Sequence, residues 1–316
     1  MKQIKIGYCD FGDNFNPETH LFTKLLQTKY EVIISDTPDY LFYATAGQEH
    51  HSFDGIRIYY TGENVIPNFN CCDYAFGFAP LSFQDRYMRL PLWAFNLAGV
   101  KRAQKRSFSS DLTSRPFCAT VISNSKQTDG IRNQFFNMLN EYKPLASGGQ
   151  WQNNVGGPVA DKIIFQSKYK FTMAFENTYA PGYTTEKILD AFISDTIPIY
   201  YGDPLVIQDF NPKAFINAHD FSSLEDLKNY VIQIDQDDNL YQSIFEQPVF
   251  QPNVLDKYST RAILNFLSHI IEQPYNQARR RFYMKPYQDI DVITIKTRDI
   301  KAIINSFIKT KVFKIK

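Results

Sequence analysis

One segment constrains the fold more than any other: residues 169–204 combine a strand, a polar loop, a helix and a second strand. Residues 169–175 (YKFTMAF) are rich in β-forming residues and end in apolar ones, as a strand entering a loop would. The loop ENTYAPGY follows, and apolar residues then recur at helical spacing from Ile188 to Ile193. The run IPIYYGDP, which begins at Ile197, indicates another short strand. Together these patterns predict a β-loop-α-β unit.

The start of the predicted helix suits an anion. Thr184 or Thr185 offers an N-cap hydroxyl, and the run TTEK is a helix start signal. A helix N-terminus presents unpaired backbone N–H groups and the positive end of the helix dipole. These features favour phosphate, so we interpret residues 175–187 as a phosphate-binding site.

The remaining chain alternates short apolar strands with helical segments, which indicates an α/β fold with parallel sheets. Strands are predicted at 2–9, 30–34, 40–43, 55–60, 71–78 and 117–124, and helices at 18–29, 94–100, from 131 onwards, 223–234 and 260–272. Residues 101–115 are Ser-rich and charged, and Pro116 follows them. This composition predicts a domain boundary.

Two charged residues outside the opening segment are candidate functional groups. Glu63 lies in the loop TGENVIPNFN directly after the fourth predicted strand, and parallel sheets bind ligands at the carboxyl ends of their strands. The structural alternative is a carboxylate that caps the loop. Arg132 is predicted in the first turn of a helix, where its charge opposes the dipole. That position indicates an anionic partner, and an ordinary surface arginine is the alternative.

Several classes of function are disfavoured. No Gly-x-Gly-x-x-Gly follows the first strand, so a nicotinamide cofactor is not expected. The glycines at 148–157 fit no P-loop and predict an ordinary connection. Asp235 and Asp237 lie at a predicted helix end with no strand to deliver them into a cleft, so we expect no metal there. Four cysteines without paired spacing predict reduced thiols.

Composition indicates a globular protein with an unusual C-terminus. Apolar residues make up 44% and charged residues 21%, and the 16% aromatic content fits either a core or a sugar-binding cleft. The net charge of +1 disfavours nucleic acid as a partner. From residue 278 to the end, eleven basic residues stand against three acidic ones. This tail predicts either an amphipathic segment on an anionic membrane or a helix packed on the body.

No charged and then apolar leader opens the sequence, and no run of about 18 apolar residues occurs. We therefore expect a cytoplasmic protein, peripheral on the inner membrane face if the tail binds lipid.

Several separated motifs resemble one family. The runs FENT, YTTEK and IPIYYGDP, with YTGEN at 60–64, DRY at 85–87 and IRN at 131–133, resemble the bacterial α-1,3/4-fucosyltransferases of glycosyltransferase family 10. The likeness covers roughly residues 1–275 in the same order and spacing. Thr184 departs from the valine usual in the family, and we expect its hydroxyl to cap the helix.

The resemblance implies two Rossmann-like domains facing across a cleft, the glycosyltransferase B architecture. Residues 1–113 would form the acceptor side, 114–275 would bind GDP-β-L-fucose, and 276–316 would be the basic amphipathic tail. The implied enzyme inverts the anomeric carbon and needs neither a metal nor another cofactor. The residues carried over are Glu63 as general base and Arg132, Asn177, Tyr183, Glu186 and Lys187 as donor-binding residues, with Glu176 and Thr185 as additional cleft residues.

The implied chemistry agrees with the residues themselves. A sugar hydroxyl needs a carboxylate to take its proton, and a departing GDP without a metal needs fixed cations and a helix N-terminus. The expected reaction is transfer of L-fucose to O3 of GlcNAc in a lacto-N-biose or N-acetyllactosamine type acceptor, for Lewis-type glycan or lipopolysaccharide synthesis. The alternatives are transfer of another GDP-linked sugar and a glycan-binding protein without catalysis. Oligomeric state is left open.

Overall fold

The computed structural model describes residues 1–123 and 130–281. Its first sheet contains β1 (Gln3–Cys9), β2 (Glu31–Ile34), β3 (Tyr40–Tyr43), β4 (Ile56–Tyr59), β5 (Tyr74–Gly77) and β6 (Tyr87–Arg89). The order is β2-β1-β3-β4-β5-β6, and the pairs from β2 to β5 are parallel. All four residues of β4 and of β5 are buried, which explains their largely apolar or aromatic character.

The second sheet contains β7 (Cys118–Thr120), β8 (Leu145–Ser147), β9 (Phe171–Phe175), β10 (Ile197–Tyr201) and β11 (Ile216–Asn217). Its order is β11-β10-β9-β7-β8, and every neighbouring pair is parallel. The chain leaves β7 for β8 on one side and later returns to β9 on the other side of β7. The carboxyl ends of β7 and β9 therefore form a topological switch point, the usual ligand position in such sheets.

Helices connect and cover the strands. They are α1 (Leu21–Gln27), α2 (Leu97–Ala103), α3 (Ile131–Tyr142), α4 (Lys162–Gln166), α5 (Glu186–Ile193), α6 (Leu224–Gln236), α7 (Asp238–Phe245), α8 (Val254–Lys257), α9 (Thr260–Glu272) and α10 (Tyr275–Ala278). Short 3-10 helices occupy Glu49–Ser52, Leu92–Phe95, Ser110–Leu112, Val206–Gln208 and Ala218–Asp220. No helix within residues 1–123 and 130–281 is long and apolar enough to cross a membrane.

The chain forms two compact units. The first comprises residues 1–61, 67–76 and the described chain from 267, and the second comprises 62–66 and 77–266. In the second unit, an apolar core lies on β7, β9 and β10 and includes Phe135, Phe175 and Ile199. The loop containing Glu63 groups with this second unit. Residues 282–316, most of the predicted tail, lie outside the described part of the chain.

Some predicted boundaries shift for local reasons. The helix predicted from residue 18 begins at Leu21, because the Nδ1 of His20 accepts a hydrogen bond from the N–H of Phe22 and caps it there. The helix predicted at 94–100 begins at Leu97, where the side chain of Asn96 accepts from the N–H of Gly99. A sequence pattern locates the apolar face of a helix better than its first residue.

Asp235, at which we expect no metal, has structural partners. Its carboxylate accepts hydrogen bonds from Lys143 and Tyr142 and forms an ion pair at 2.9 Å with the buried ammonium of Lys170. These contacts hold the end of α6 beside the start of β9, and they give the aspartate a role in the fold.

Candidate active site

The candidate site lies where β9 passes into α5. Phe175 ends β9 and Glu186 begins α5, so only residues 176–185 separate a central strand from a helix N-terminus. The helix is amphipathic, with Ile188, Leu189 and Phe192 fully buried. This packing fixes the helix on the sheet and directs its N-terminus, the positive end of its dipole, to the switch-point edge, where it favours an anion.

Glu176, the residue directly after β9, organises the loop. Its side chain is fully buried. One carboxylate oxygen accepts from the backbone N–H of Thr185 at 2.7 Å, and the other accepts from the hydroxyl of Thr185 at 2.8 Å and from Lys187 at 2.9 Å. The prediction that a threonine hydroxyl caps α5 is therefore wrong. Thr185 occupies the N-cap position without a capping bond from its side chain, because Glu176 engages its hydroxyl.

Thr184 is also diverted from capping. Its hydroxyl donates to the carboxylate of Asp203 at 2.7 Å, and the same aspartate accepts from the N–H of Gly182 at 2.6 Å. Asp203 is completely buried and lies just after β10. The motifs do not single out Asp203 as a site residue, although its place directly after a buried strand is a usable signal.

Two neighbouring carboxylates keep the ammonium of Lys187 charged in the site. Burial alone would lower the pKa of its ammonium, but the nearby charges of Glu176 and Glu186 raise that pKa above its ordinary value. Glu186 has the opposite shift: burial would raise its pKa, and the neighbouring Lys187 and Lys162 lower it. Both groups are therefore charged at neutral pH.

Arg132 enters from α3, which begins at Ile131 as predicted. The residue is 2% exposed, and its Nη2 donates to the carbonyl of Phe175 at 2.9 Å. Its charge is near enough to Lys187 to oppose the rise in the lysine pKa. Two cations held together in this way favour a negatively charged ligand, since the anion relieves their repulsion.

These side chains line a cleft of about 260 Å³. Its walls are Val121, Ile122, Ser123, Arg132, Lys162, Asn177, Glu186 and Lys187. The structure thus brings Arg132, Asn177, Glu186 and Lys187 together, as the sequence analysis expects. Lys162 joins them unpredicted, because nothing in its local sequence separates it from a surface lysine. It lies at the start of α4 and forms ion pairs with Asp190 and, at 3.9 Å, with Glu186.

Tyr183 lies beside the cleft rather than in its wall. The residue is 4% exposed, and its ring meets Phe78 edge-on at 5.0 Å between centroids. Burial raises the pKa of its phenol, and the charges of Glu176 and Glu63 raise it further, against a hydrogen bond involving Asn177. Tyr183 is therefore a neutral hydroxyl.

The loop of Glu63 reaches the donor loop through its neighbour. The side-chain amide of Asn64 donates to the hydroxyl of Thr178 at 3.0 Å, and that hydroxyl donates to Asn177 at 3.5 Å. Glu63 itself is exposed. An exposed carboxylate beside a cleft lined by Arg132 and Lys187 has the components for proton removal at one point and anion stabilisation at another.

The acidic residues of the site have partners other than a metal. Within residues 1–123 and 130–281, no group of three or more His, Cys, Asp or Glu side chains is arranged to hold an ion. Glu176, Glu186 and Asp203 are instead engaged by threonines, lysines and backbone N–H groups.

Two family models match the chain. Residues 6–96 match the alpha-(1,3)-fucosyltransferase FucT N-terminal domain, and residues 113–281 match the C-terminal domain of glycosyltransferase family 10 (fucosyltransferase). This chain belongs to glycosyltransferase family 10. The predicted family is thereby confirmed.

Individual relatives agree with this assignment. The alpha-(1,3)-fucosyltransferase FucT of Helicobacter pylori is 37% identical over 257 residues, which are 68% of this chain and 53% of the relative. The chain thus spans about half the length of that curated relative. A bovine 3-galactosyl-N-acetylglucosaminide 4-alpha-L-fucosyltransferase is 35% identical over 40% of this chain and 35% of its own length.

Solved structures extend the likeness to the fold. A crystal structure of an alpha1,3-fucosyltransferase with GDP-fucose has a TM-score of 0.75 and 31% identity, and the match covers 87% of this chain and 93% of that one. A further alpha1,3-fucosyltransferase structure has a TM-score of 0.77 and 30% identity, with coverages of 86% and 91%. This family 10 chain therefore has the predicted α/β fold of glycosyltransferase B type.

Proposed function

We propose that this family 10 chain is an inverting α-1,3(4)-fucosyltransferase that uses GDP-β-L-fucose. The observation that carries the proposal is the meeting of Arg132, Lys187 and the N-terminus of α5 at one cleft. A leaving GDP gains negative charge on its diphosphate, and fixed cations with backbone N–H groups stabilise that charge without reorganisation. The related alpha1,3-fucosyltransferase whose structure contains GDP-fucose supports the same donor.

Glu63 is the proposed general base. Its carboxylate is exposed, so an incoming acceptor hydroxyl has access to it, and its charge acts on Tyr183 beside the donor loop. Proton removal from one side of the fucose ring while GDP departs from the other inverts the anomeric carbon in one displacement. No covalent intermediate is required, and the fixed cations take the part a metal plays in other transferases.

The acceptor is proposed to be GlcNAc in an N-acetyllactosamine or lacto-N-biose unit, as in Lewis-type glycans and lipopolysaccharide. The bovine relative, a 3-galactosyl-N-acetylglucosaminide fucosyltransferase, supports this class. We also propose that residues 114–275 supply the donor site and residues 1–113 most of the acceptor side.

Product analysis tests the activity directly. Purified protein is incubated with N-acetyllactosamine and GDP-fucose, GDP-mannose or a UDP-sugar, and released nucleotide and the new glycosidic linkage are measured. With GDP-fucose we expect release of GDP and a new α-linked fucose on the acceptor, and with GDP-mannose or the UDP-sugar we expect neither. Equal turnover of GDP-mannose would replace the proposal with a different GDP-sugar transferase, and absence of transfer from every donor would favour a glycan-binding protein.

A variant of Glu63 tests the base. Glu63→Gln keeps the shape of the side chain but removes the proton acceptor, so turnover should fall by about 10²–10⁴-fold while calorimetric GDP affinity stays unchanged. Glu141→Gln, at an exposed glutamate of α3, is the matched control and should keep wild-type turnover. Near-normal turnover of Glu63→Gln would reject the assignment.

A further inference from the structure

A partly exposed aromatic ring lies in the loop that joins β5 to β6. Phe83 is 40% exposed, whereas Phe78, at the start of the same loop, is 4% exposed. The guanidinium of Arg86 lies over the Phe83 ring, 5.0 Å from its centroid. Single exposed apolar residues are common on protein surfaces, so exposure alone carries no function here. Phe83 is distinguished by the way its loop is built and by the position of that loop.

The turn that presents Phe83 is held in a costly conformation. The N–H of Arg86 donates to the carbonyl of Phe83 at 3.0 Å, which closes a four-residue turn. Inside it, Gln84 has φ of 50°, a left-handed conformation that non-glycine residues rarely adopt. Such strain persists only where the surrounding structure imposes it, and it occurs preferentially at ligand sites.

The base of the loop supplies that constraint. The hydroxyl of Tyr87 donates to the carbonyl of Ala79 at 2.7 Å, and Nε of Arg89 donates to the carbonyl of Phe78 at 2.9 Å. Arg89 is fixed in turn by a bidentate ion pair with the buried carboxylate of Asp209. The Phe83 turn therefore stands on a rigid base and is organised before any ligand arrives.

The same loop packs directly against the candidate active site. Gly182 approaches it so closely that an added Cβ would lie 2.7 Å from the carbonyl oxygen of Phe78, and Gly182 has φ of +85°. Tyr183 contacts Phe78, and Asn64, the neighbour of Glu63, donates a hydrogen bond at 3.0 Å to Thr178 in the same loop as Tyr183. The base of the loop that carries Phe83 and the loop that carries Glu63 thus both contact the segment 176–185.

The chemistry of this pair suits a neutral sugar. A pyranose ring has an apolar face of C–H groups that packs on an aromatic ring, while its rim of hydroxyls accepts hydrogen bonds from donors such as a guanidinium. The diphosphate of the donor has its own cations in Arg132, Lys162 and Lys187, which line a different part of the unit. Neither Phe83 nor Arg86 lines that cleft, so the Phe83 turn is separate from the site proposed for the diphosphate.

We propose that Phe83 and Arg86 form an acceptor platform, on which the pyranose ring of the acceptor stacks while its hydroxyl is presented to Glu63. This inference rests on the proposed transfer reaction and adds a specificity-determining site to it. The platform favours an uncharged saccharide, whose apolar face packs on the ring. It affects the binding of the acceptor and does not contact the donor.

Acceptor and donor constants measured separately test the platform. In Phe83→Ala and Phe83→Leu, the KM for N-acetyllactosamine should rise about tenfold, because the aromatic surface is lost, while GDP affinity and the slow hydrolysis of GDP-fucose stay at wild-type values. Phe83→Tyr keeps the ring and should preserve acceptor binding. Ile207→Ala removes a similarly exposed apolar side chain (43%) elsewhere in the same unit and should change neither constant.

A binding measurement keeps this test independent of turnover. In saturation-transfer NMR of N-acetyllactosamine with the GDP-loaded protein, magnetisation should pass from the wild-type protein to the pyranose ring protons. This signal should be lost in Phe83→Leu. Unchanged acceptor KM and unchanged NMR transfer in folded Phe83→Leu would overturn the platform. Absence of fucose transfer by the wild-type protein would instead overturn the proposed function, and the NMR comparison would still decide whether the platform binds saccharide.

Discussion

Glu176 determines how the site presents its positive charge. Three donors converge on its buried carboxylate: the backbone N–H of Thr185, the Thr185 hydroxyl and the ammonium of Lys187. Burying this carboxylate without partners would cost several kcal/mol of folding free energy. The folded state therefore keeps all three donors in contact with Glu176. The sequence motif predicts Glu176 as an additional cleft residue, and its contacts position Thr185 and Lys187.

Lys187 should therefore act on the nucleotide while Glu176 holds it in place. Lys187→Met keeps the aliphatic stem and removes one charge-assisted contact, so GDP affinity should fall about 10–100-fold by calorimetry. Because Lys187→Met leaves Glu176 without its ammonium partner, the double variant with Glu176→Gln is compared with Glu176→Gln alone. Lys168→Met, at an exposed lysine of the same unit, is the control. Unchanged GDP affinity in the folded double variant would remove Lys187 from the donor site.

Between elements, β10 and β9 approach each other closely at the site. Gly202 follows β10 with φ of +144°, and an added Cβ would lie 2.5 Å from the Cβ of Glu176. A side chain at this point would displace Glu176 and, through its hydrogen bond to Thr185, the start of α5. The glycine of the IPIYYGDP motif is thus explained by space as well as by backbone conformation.

Gly202→Ala should lower the free energy of unfolding by about 2–4 kcal/mol, from backbone strain together with overpacking. Gly156 also has positive φ, +87°, but its added Cβ would meet no atom within 4 Å. Gly156→Ala should therefore show the cost of strain alone, about 1 kcal/mol. Urea unfolding of both variants measures the difference, and equal values would show that the contact with Glu176 has no energetic consequence.

The elements differ in how far sequence predicts them. Alternating apolar residues predict β1, and largely apolar runs predict β9 and β10, each to within about two residues, because burial of a strand dictates its composition. β8, Leu145–Ser147, escapes prediction because three residues show no periodicity. The local pattern assigns the hydroxyls of Thr184 and Thr185 to capping, because Asp203 and Glu176, their actual partners, are brought to them only by the fold.

At the scale of the whole molecule, local sequence patterns do not predict the order of the strands within a sheet. Local patterns predict that β7 and β9 exist, but their adjacency depends on a crossover that runs from β8 back past β7. That adjacency creates the switch point and brings Ser123 within the same cleft as Asn177. The motifs predict Arg132, Asn177, Glu186 and Lys187, whereas Lys162, which the fold adds, carries no local signal.

A buried histidine in the first unit should make the molecule acid-sensitive. His50 is 8% exposed, stacks on Tyr43 at 4.0 Å between ring centroids and shares a 2.5 Å contact between its Nδ1 and the carboxylate of Asp10. Burial, together with the charges of His51 and Arg57, lowers its pKa to about 4 against the opposing effect of Asp10. The imidazole is neutral at pH 7, so its Nδ1–H donates to Asp10.

The folded and the unfolded chain bind protons differently as the pH falls. The unfolded imidazole, with an ordinary pKa of 6.5, takes up a proton as pH falls through that value, whereas the folded one remains neutral until about pH 4. Protons therefore favour the unfolded chain in this window. The free energy of unfolding should fall by about 1.5 kcal/mol between pH 6.5 and pH 5, and His20, whose pKa burial also lowers to about 4, acts in the same direction.

His50→Asn separates this contribution from the rest. The asparagine amide can still donate to Asp10, but it does not titrate, so the loss of stability between pH 6.5 and pH 5 should shrink by about 1.5 kcal/mol even if the variant is less stable overall. Urea unfolding at pH 8, 7, 6.5, 6 and 5 measures the slope, and the interval from pH 8 to pH 7 serves as the internal control because His50 should change the stability there by only about 0.1 kcal/mol. An equally steep decline in His50→Asn would show that the buried imidazole is not the group that destabilises the folded chain in acid.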